Sequence, residues 1–262
     1  MTHETYEVYA IKYATRDAKA FEHFHGSNDP HEDYSMPMDY FIWVAKNDKH
    51  TVVIDVGFNE QVSNQRGRTF LRCPIETLKK IDVHANDVSH VIITHMHYDH
   101  VGNLDKFPNS TFVLQETEMS FWTGKYASRK AYRHLIEVED VVHLVKENFE
   151  GRIDFVSGDK EILDGITVYE TGGHSPGLQF VKVKTKKGNV ILTSDVSHYY
   201  QNLEEDRPFS VVHDLKNMYH AFDRVRDVSD GNSVIVPGHD PKVMEYFPPV
   251  SDEVEGVIVK LS

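Results

Sequence analysis

Residues 95–100 read His-Met-His-Tyr-Asp-His and directly follow a short apolar run, Val91–Thr94. A run of this kind is typical of a strand that is buried on both faces of a sheet. The three imidazoles and one carboxylate that follow it are nitrogen and oxygen ligands for metals such as zinc. The Asp-His pair at the end is offset from the first two histidines, so one ion is not expected to bind all four groups. The stretch therefore predicts two adjacent metal ions at the end of a buried strand.

Three later segments each place one more candidate ligand just after an apolar strand. They are Thr171-Gly172-Gly173-His174, Leu192-Thr193-Ser194-Asp195 and Val236-Pro237-Gly238-His239. The glycines beside His174 and His239 let the backbone turn tightly and approach other groups closely. A histidine-rich surface loop is the alternative to a metal site, but it does not explain these three segments. The candidate metal ligands are therefore seven residues: His95, His97, Asp99, His100, His174, Asp195 and His239.

Apolar periodicity and turn residues predict strands and helices over most of the chain. Besides Val91–Thr94, the predicted strands are Tyr6–Tyr13, Asp39–Ala45, Thr51–Val56, Thr111–Leu114, Ile153–Val156, Gly165–Tyr169, Gln179–Thr185, Asn189–Thr193 and Ser233–Val236. The predicted helices are Pro74–Ile81, Glu116–His134 with a break near Gly124, and Asp214–Val228. The segment Arg16–Met38 shows no periodicity, and loops of that length are usually functional or mobile. No linker is visible, so we expect one α/β domain over residues 1–262, built from two packed half-sheets.

Charge and composition exclude several classes of partner. The 262 residues include 28 Lys and Arg against 41 Asp and Glu, which gives a formal net charge of −13. Nucleic-acid-binding proteins usually present a basic patch, so no nucleic-acid partner is expected. No apolar run approaches the ~18–20 residues of a membrane span and no signal-peptide h-region is visible, so we expect no membrane partner and a cytoplasmic location. Cys73 is the only cysteine, which excludes an intrachain disulfide and a thiolate metal cluster.

The ligand pattern H-x-H-x-D-H, then G-H, then D, then G-H, resembles the metallo-β-lactamase superfamily. This resemblance implies a four-layered αββα sandwich. It also implies that His95, His97 and His174 bind a first metal, that Asp99, His100 and His239 bind a second, and that Asp195 bridges the two. Asp55 matches a family position that orients the site without binding metal. The expected cofactor is two divalent metal ions, with Zn²⁺ as the first choice and Mn²⁺, Fe²⁺ or Co²⁺ as alternatives.

Within the superfamily the sequence is similar to the N-acyl-homoserine lactone hydrolases. The similarity lies in the strand pair Asp39–Gly57, the segment Thr171–Gly177 and the tripeptide Arg207-Pro208-Phe209. An aspartate at the bridging position, where the best-known β-lactamases have a cysteine, argues against penicillin hydrolysis. The chain departs from the lactonases at Leu178, where they have a second histidine that does not bind metal. It also has His198 where they present a tyrosine to the substrate.

The resemblance implies that the protein opens a lactone ring, such as that of an N-acyl-homoserine lactone. Two metal ions about 3.5–4 Å apart can share a water and lower its pKa towards ~7, so that a bridging hydroxide attacks the carbonyl. We expect Asp99 to shuttle a proton to the leaving group, and His198, or else Tyr199 or Tyr200, to contact the substrate. The predicted partner is a small lactone or ester, and a homodimer is a candidate assembly.

Apolar residues of the early loop and of the predicted helix after Thr111–Leu114 are candidates to line a channel for an acyl chain. They are Phe21, Phe24, Met36, Met38, Phe121 and Trp122, of which Phe24, Met36 and Trp122, together with Tyr199, are the predicted substrate contacts. Packing in the core or at a subunit interface is the alternative interpretation of these side chains.

Three alternative functions use the same ligands. A glyoxalase-II-like thioester hydrolase should carry a basic patch towards its C-terminus, and no such cluster follows Arg226. A nuclease or phosphodiesterase is disfavoured by the negative charge. A metal-binding module without activity is disfavoured because all seven ligand positions are filled.

Overall fold

Thirteen strands and nine α-helices are present in residues 4–27 and 29–262, the part of the chain that this computed structural model describes. The strands are β1 (Glu7–Arg16), β2 (Met38–Lys46), β3 (Thr51–Ile54), β4 (Thr69–Phe70), β5 (His90–Ile92), β6 (Thr111–Gln115), β7 (Ile153–Val156), β8 (Lys160–Leu163), β9 (Ile166–Glu170), β10 (Gln179–Thr185), β11 (Gly188–Ser194), β12 (Ser233–Pro237) and β13 (Ile258–Lys260). The helices are α1 (Glu60–Gln65), α2 (Pro74–Thr77), α3 (Tyr98–Val101), α4 (Glu116–Trp122), α5 (Lys130–Arg133), α6 (Val138–Phe149), α7 (Tyr200–Glu204), α8 (Leu215–Val228) and α9 (Val243–Tyr246). Among the described residues, no helix has both the length and the apolar character needed to cross a membrane.

The strands form two sheets with parallel and antiparallel parts. The first sheet has the order β13-β1-β2-β3-β5-β6-β7, with β4 paired to β1, and the second has the order β12-β11-β10-β9-β8. Strands β3, β5, β6 and β7 run parallel, and so do β11 and β12. In sheets of this kind, ligands bind outside the carboxyl ends of parallel strands. The residues that follow β5, β11 and β12 are therefore placed for a site.

The hydrophobic core consists of three clusters of buried side chains, which follow the alternation of side chains along the strands. On β2, Trp43 lies among residues from both sheets, whereas Ile42 and Val44 pack on the opposite face with residues of α1, α4 and α6. On the outer face of the second sheet, α8 buries Met218, Ala221, Phe222 and Val225. Successive strand residues point to opposite faces of the sheet, so one strand contributes side chains to two clusters. The layers are helix, sheet, sheet and helix, which confirms the predicted αββα sandwich.

Most predicted elements are present, and eight further strands and α-helices are additional. The helix predicted over Pro74–Ile81 ends as an α-helix at Thr77 and continues as a 3₁₀ turn to Ile81. The predicted break near Gly124 is confirmed, since α4 ends at Trp122 and α5 begins at Lys130. The elements that the sequence did not predict are β4, β8, β13, α1, α3, α6, α7 and α9. The predicted irregular segment between β1 and β2 contains two short 3₁₀ turns.

An acid on α6 makes the stability of the fold depend on pH. Burial, together with Glu137 and Asp105, raises the pKa of Asp140 to about 7, against ~4 in an unfolded chain. The raised value means that the folded state favours the protonated carboxyl. Its contribution to stability is complete below pH ~4 and is lost as the pH rises through ~7. Asp140→Asn is therefore expected to raise the thermal midpoint more at pH 8 than at pH 5. Calorimetry at both pH values checks this, with the exposed Glu150→Gln at the C-terminal end of the same helix as control, and equal shifts for Asp140→Asn at the two pH values would contradict it.

Candidate metal centre

The seven predicted ligands lie together at the carboxyl ends of strands from both sheets. Residues 95–100 follow β5 and run into α3, Asp195 follows β11, and His239 follows β12. His174 lies in the turn between β9 and β10. Gly238 lets the segment after β12 lie close to the end of β11, since a Cβ on it would lie 2.7 Å from the backbone oxygen of Ser194. All seven side chains are buried, with at most 7% of their surface exposed.

Three histidines and one oxygen of Asp195 form the first group of candidate ligands. His174 Nε2 lies 3.1 Å from Asp195 Oδ2, and His95 Nε2 lies 3.7 Å from the same oxygen. His97 Nδ1 lies 2.9 Å from His174 Nε2. One ligand atom from each of these four residues lies within 4.8 Å of the others. This is the set that the resemblance assigns to the first metal together with the bridging carboxylate.

The second group lies against the other oxygen of Asp195. His239 Nε2 is 3.1 Å and His100 Nε2 is 3.5 Å from Asp195 Oδ1, and each is 3.8 Å from Asp99 Oδ2. The two oxygens of Asp195 therefore face different groups of ligands. Burial acts to raise the pKa of Asp195, but the histidines around it hold that pKa well below its ordinary value. The carboxylate is thus ionised, as a metal ligand must be.

The donor atoms fit divalent metal ions. The Nε2 atoms of His95 and His100 are buried and have no hydrogen-bond partner among the described residues. Polar atoms buried in this way are costly unless something binds them. Burial and the neighbouring histidines hold the pKa of His95 and His97 well below the ordinary value, so these rings are neutral and able to ligate. Neutral imidazoles with carboxylates are a typical donor set for zinc and related divalent ions.

Hydrogen bonds to the outer nitrogen orient three of the rings. His100 Nδ1 donates to Asp55 Oδ2 at 2.7 Å, and His174 Nδ1 donates to the carbonyl of Val211 at 2.9 Å. His239 Nδ1 donates to the carbonyl of Asp39 at 2.8 Å. Bonds of this kind fix the tautomer and aim Nε2 inwards, and their loss typically lowers metal affinity.

Asp55 is held between the two sheets' loops in a left-handed backbone conformation. Its φ is 56°, and that of Ser194 is 45°, values that residues other than glycine adopt rarely. Asp55 Oδ1 accepts from the backbone of Thr94 at 2.8 Å, and Thr94 Oγ1 lies 2.8 Å from Ser194 Oγ. The strained positions therefore lie directly beside the ligands, and the contact with His100 supports the orienting role predicted for Asp55.

Glu118 on α4 is a positioning residue that the sequence analysis missed. It is fully buried, and its Oε1 accepts from the backbone of Met96 at 2.9 Å and from Trp122 Nε1 at 2.6 Å. Oε1 also accepts from the hydroxyl of Ser175, and Oε2 from the backbone of Gly177 at 2.7 Å. One carboxylate thus joins the loop that carries His95 and His97 to the loop that carries His174. The sequence shows only an acidic residue in the first turn of a predicted helix, and its burial is visible only in the structure.

His198 lies at the cluster of candidate ligands and lines the cavity beside it. Its Nε2 is 3.0 Å from Asp195 Oδ2, and its ring stacks on Phe209 at 3.5 Å between centroids. Burial lowers the pKa of His198 to about 3, so the ring is neutral at physiological pH. Together with Asp195 and His239 it forms a third group of closely spaced donor atoms. Tyr199 and Tyr200 point elsewhere, with Tyr199 donating to the carbonyl of Pro37 and Tyr200 packing near Tyr246.

Two adjoining cavities open beside the cluster. The first has a volume of about 310 Å³ and is lined by Asp99, Asp195 and His198 among others. The second, of about 370 Å³, shares His97, His134, Leu135, His174, Ser210 and Val211 with it. Trp122 lines the second cavity and Met38 the first. The predicted substrate contacts Phe24, Met36 and Tyr199 are not among the lining residues described, because they pack in the core or against Arg207.

The comparisons with known proteins agree with this geometry. A model of the metallo-beta-lactamase superfamily matches residues 37–239. The N-acyl homoserine lactonase AiiA of Bacillus thuringiensis subsp. kurstaki is 26% identical over 214 residues, which cover 76% of this chain and 80% of that protein. The predicted resemblance to these lactonases is thereby confirmed.

Two solved structures share the fold. A structure of an N-acyl homoserine lactone hydrolase with N-hexanoyl-L-homoserine at its metal centre has a TM-score of 0.76 at 21% identity and covers 95% of this chain and 98% of that one. AidC, a dizinc quorum-quenching lactonase, has a TM-score of 0.72 at 17% identity and covers 92% of this chain and 91% of its own. The family match extends over most of the sequence and includes every predicted ligand, and the chain therefore belongs to the metallo-β-lactamase superfamily.

Proposed function

We propose that the protein is a dinuclear metal-dependent hydrolase that opens the ring of an N-acyl-homoserine lactone or a related lactone. The observation that carries the proposal is Asp195, whose two oxygens face two different groups of ligands. The similarity to N-acyl homoserine lactonases such as AiiA and AttM supports the choice of substrate class. The adjoining cavities supply room for a small organic molecule.

The ligand sets follow from the two groups. His95, His97 and His174 would hold one ion, Asp99, His100 and His239 would hold the other, and Asp195 would lie between them. Zn²⁺ is the proposed ion because the donors are mainly imidazoles with two carboxylates. When bound, two such ions supply a hydroxide nucleophile at neutral pH and a Lewis acid for the carbonyl oxygen.

The protein's own residues complete the chemistry. The neutral imidazole of His198 carries one N–H, at present 3.0 Å from Asp195 Oδ2 if it is on Nε2. With metal ions bound by Asp195, that N–H would donate instead to the substrate carbonyl or ring oxygen, in the place of the lactonase tyrosine. Phe209 holds that ring flat by stacking. The carboxylate of Asp99 lines the same cavity. It would take up the proton of the attacking hydroxide and then pass that proton to the alkoxide that leaves when the ring opens. Lysine and arginine side chains are not needed for either step.

The second cavity suits an apolar arm of the substrate. Trp122, Leu135, Pro176, Val211 and Val212 are among its lining residues. Histidines and Ser210 line it as well, and a cleft that combines apolar walls with a limited number of polar groups is typical of a small-molecule site. An acyl chain in this cleft would leave the lactone carbonyl beside the metal ligands, since both cavities share His97 and His174.

A hydrolysis screen with a pH indicator tests the proposal. Lactones with and without acyl chains, thioesters and phosphodiesters are each offered to metal-loaded and to chelator-treated protein. We expect lactone opening that disappears on chelation and returns with added metal, and elemental analysis close to two ions per chain. Turnover of thioesters alone would favour the glyoxalase-II-like alternative. Lactone turnover that survives complete metal removal, or a single ion after reconstitution, would contradict the dinuclear proposal.

The role of His198 gives a separate prediction. His198→Ala is expected to lower kcat on a lactone while metal content stays unchanged, because a hydrogen bond made mainly in the transition state is lost. His198→Tyr should preserve or improve hydrolysis of an N-acyl-homoserine lactone. Tyr199→Phe and Tyr200→Phe, whose hydroxyls face away from the cluster, serve as controls. If His198→Ala instead loses metal, His198 is a ligand, and if it is silent, the residue has no role in turnover.

A further inference from the structure

Three arginines line the first cavity, although the chain as a whole carries a net charge of −13. They are Arg16, Arg66 and Arg68. Guanidinium groups stay protonated at any physiological pH and present a planar fork of N–H donors that matches a carboxylate. Their partners therefore decide whether the cavity offers an uncompensated positive charge to a ligand.

Two of the three are already compensated. Arg16 forms an ion pair with Glu22. Arg66 donates to Glu137 Oε1 through Nε at 2.9 Å and Nη2 at 2.6 Å, and lies over the ring of Tyr98 at 3.8 Å. These two side chains have little capacity left for another anion.

Arg68 differs from both. Its Nε donates to Tyr98 Oη at 3.1 Å and its Nη1 donates to the carbonyl of Arg66 at 2.9 Å. No carboxylate of the described residues forms an ion pair with it, and its Nη2 makes no hydrogen bond within that part of the chain. The Oη of Tyr98 lies 3.4 Å from that of Tyr40, which is itself buried. The guanidinium is therefore held rigidly beside the cavity with donors to spare.

Arg68 also lies away from the apolar cleft. It lines the first cavity together with Asp99, Asp195 and His198, but it is not among the residues that line the second. A ligand that fills both cavities would thus meet apolar walls in one and a positive charge in the other. We propose that Arg68 binds a carboxylate of the substrate, so that the preferred lactone is one that carries a free acid group. The substrate class rests on the proposed function, whereas the anion site rests on Arg68 alone.

A matched pair of substrates tests the proposal. A γ-butyrolactone that bears a carboxylate is compared with its neutral primary amide on the metal-loaded protein. We expect kcat/KM to favour the acid by ~10-fold or more, as for a charge-assisted hydrogen bond. Arg68→Met should abolish the preference mainly through KM, and Arg68→Lys should retain part of it. The exposed Arg129→Met is the control and should keep the full preference. A preference that is absent in the wild type, or that survives in a folded Arg68→Met, would overturn the assignment.

Calorimetric binding separates this proposal from the proposed function. Glutarate, butyrate and 3-phosphonopropionate are titrated into metal-loaded wild type and Arg68→Met. We expect glutarate to bind wild type at least ~10-fold more tightly than butyrate, and the two to bind Arg68→Met alike. This result without any lactone turnover would retain the anion site and reject the lactonase. Lactone turnover with equal binding of glutarate and butyrate would retain the lactonase and reject the anion site at Arg68. Tighter binding of the phosphonate through Arg68 would overturn the carboxylate in favour of a phosphate.

Discussion

Asp195→Asn is expected to lower kcat/KM for lactone opening by ~10²-fold or more. The carboxylate lies between the two ligand groups, with Oδ2 near His174 and Oδ1 near His239. A neutral amide has one oxygen and one nitrogen in place of two anionic oxygens, so it compensates two cations poorly. Turnover and metal content are measured on the same samples.

Asp206→Asn provides the matched control. Asp206 is exposed, forms an ion pair with Arg226 and has a left-handed φ that asparagine also tolerates. The Asp206→Asn protein should therefore have the turnover and metal content of the wild type. An Asp195→Asn protein with near-normal turnover and full metal occupancy would show that this carboxylate does not join the two ions.

Glu118→Ala is expected to cause a large loss of stability although Glu118 is not a candidate metal ligand. The substitution removes the acceptor for Trp122 Nε1 and for the backbone groups of Met96 and Gly177. Each buried donor that loses its acceptor costs about 1–3 kcal/mol of folding free energy, and the cost is smaller where a water molecule accepts its hydrogen bond instead. We expect a loss of about 3–5 kcal/mol, which lowers the thermal midpoint by roughly 10 °C for a chain of this size.

Glu116→Ala two residues earlier on the same helix is the control. Glu116 is exposed, and surface substitutions of this kind usually change stability by no more than about 0.5 kcal/mol. The thermal midpoint of Glu118→Gln should lie between those of Glu118→Ala and Glu116→Ala. Glutamine keeps one oxygen acceptor, but its amide N–H group faces another donor. Equal midpoints for Glu118→Ala and Glu116→Ala would contradict the role of Glu118.

The convergence of the candidate ligands could be predicted because the sequence signals that mark them are local. His95 to His100 are consecutive, and His174, Asp195 and His239 each directly follow a strand or glycine turn that the sequence displays. Side-chain direction within an irregular segment is not local information. Phe24 and Met36 were therefore predicted to contact substrate, although the structure places Phe24 under Arg207 and Met36 against the core.

Long-range partners account for what the sequence analysis left out. Arg68 is significant only because Tyr98 and the carbonyl of Arg66 hold it beside the cavity. Glu118 is significant only because residues up to 59 positions away donate to it. The strands β8 and β13 are short and lack a clear alternation, so period alone could not find them. The homodimer and the cytoplasmic location stay predictions.

The candidate ligands come from both sheets, with residues 95–100 after β5 in the first and Asp195 and His239 after β11 and β12 in the second. An ion bound by both halves exists only on the folded chain, so its binding free energy adds to folding, by about 4 kcal/mol at a thousandfold excess over Kd. The abundance of this protein in a cell would then follow the supply of metal. Under metal starvation a larger fraction of chains would unfold and be open to proteases, so scarcity would remove the protein itself as well as its activity.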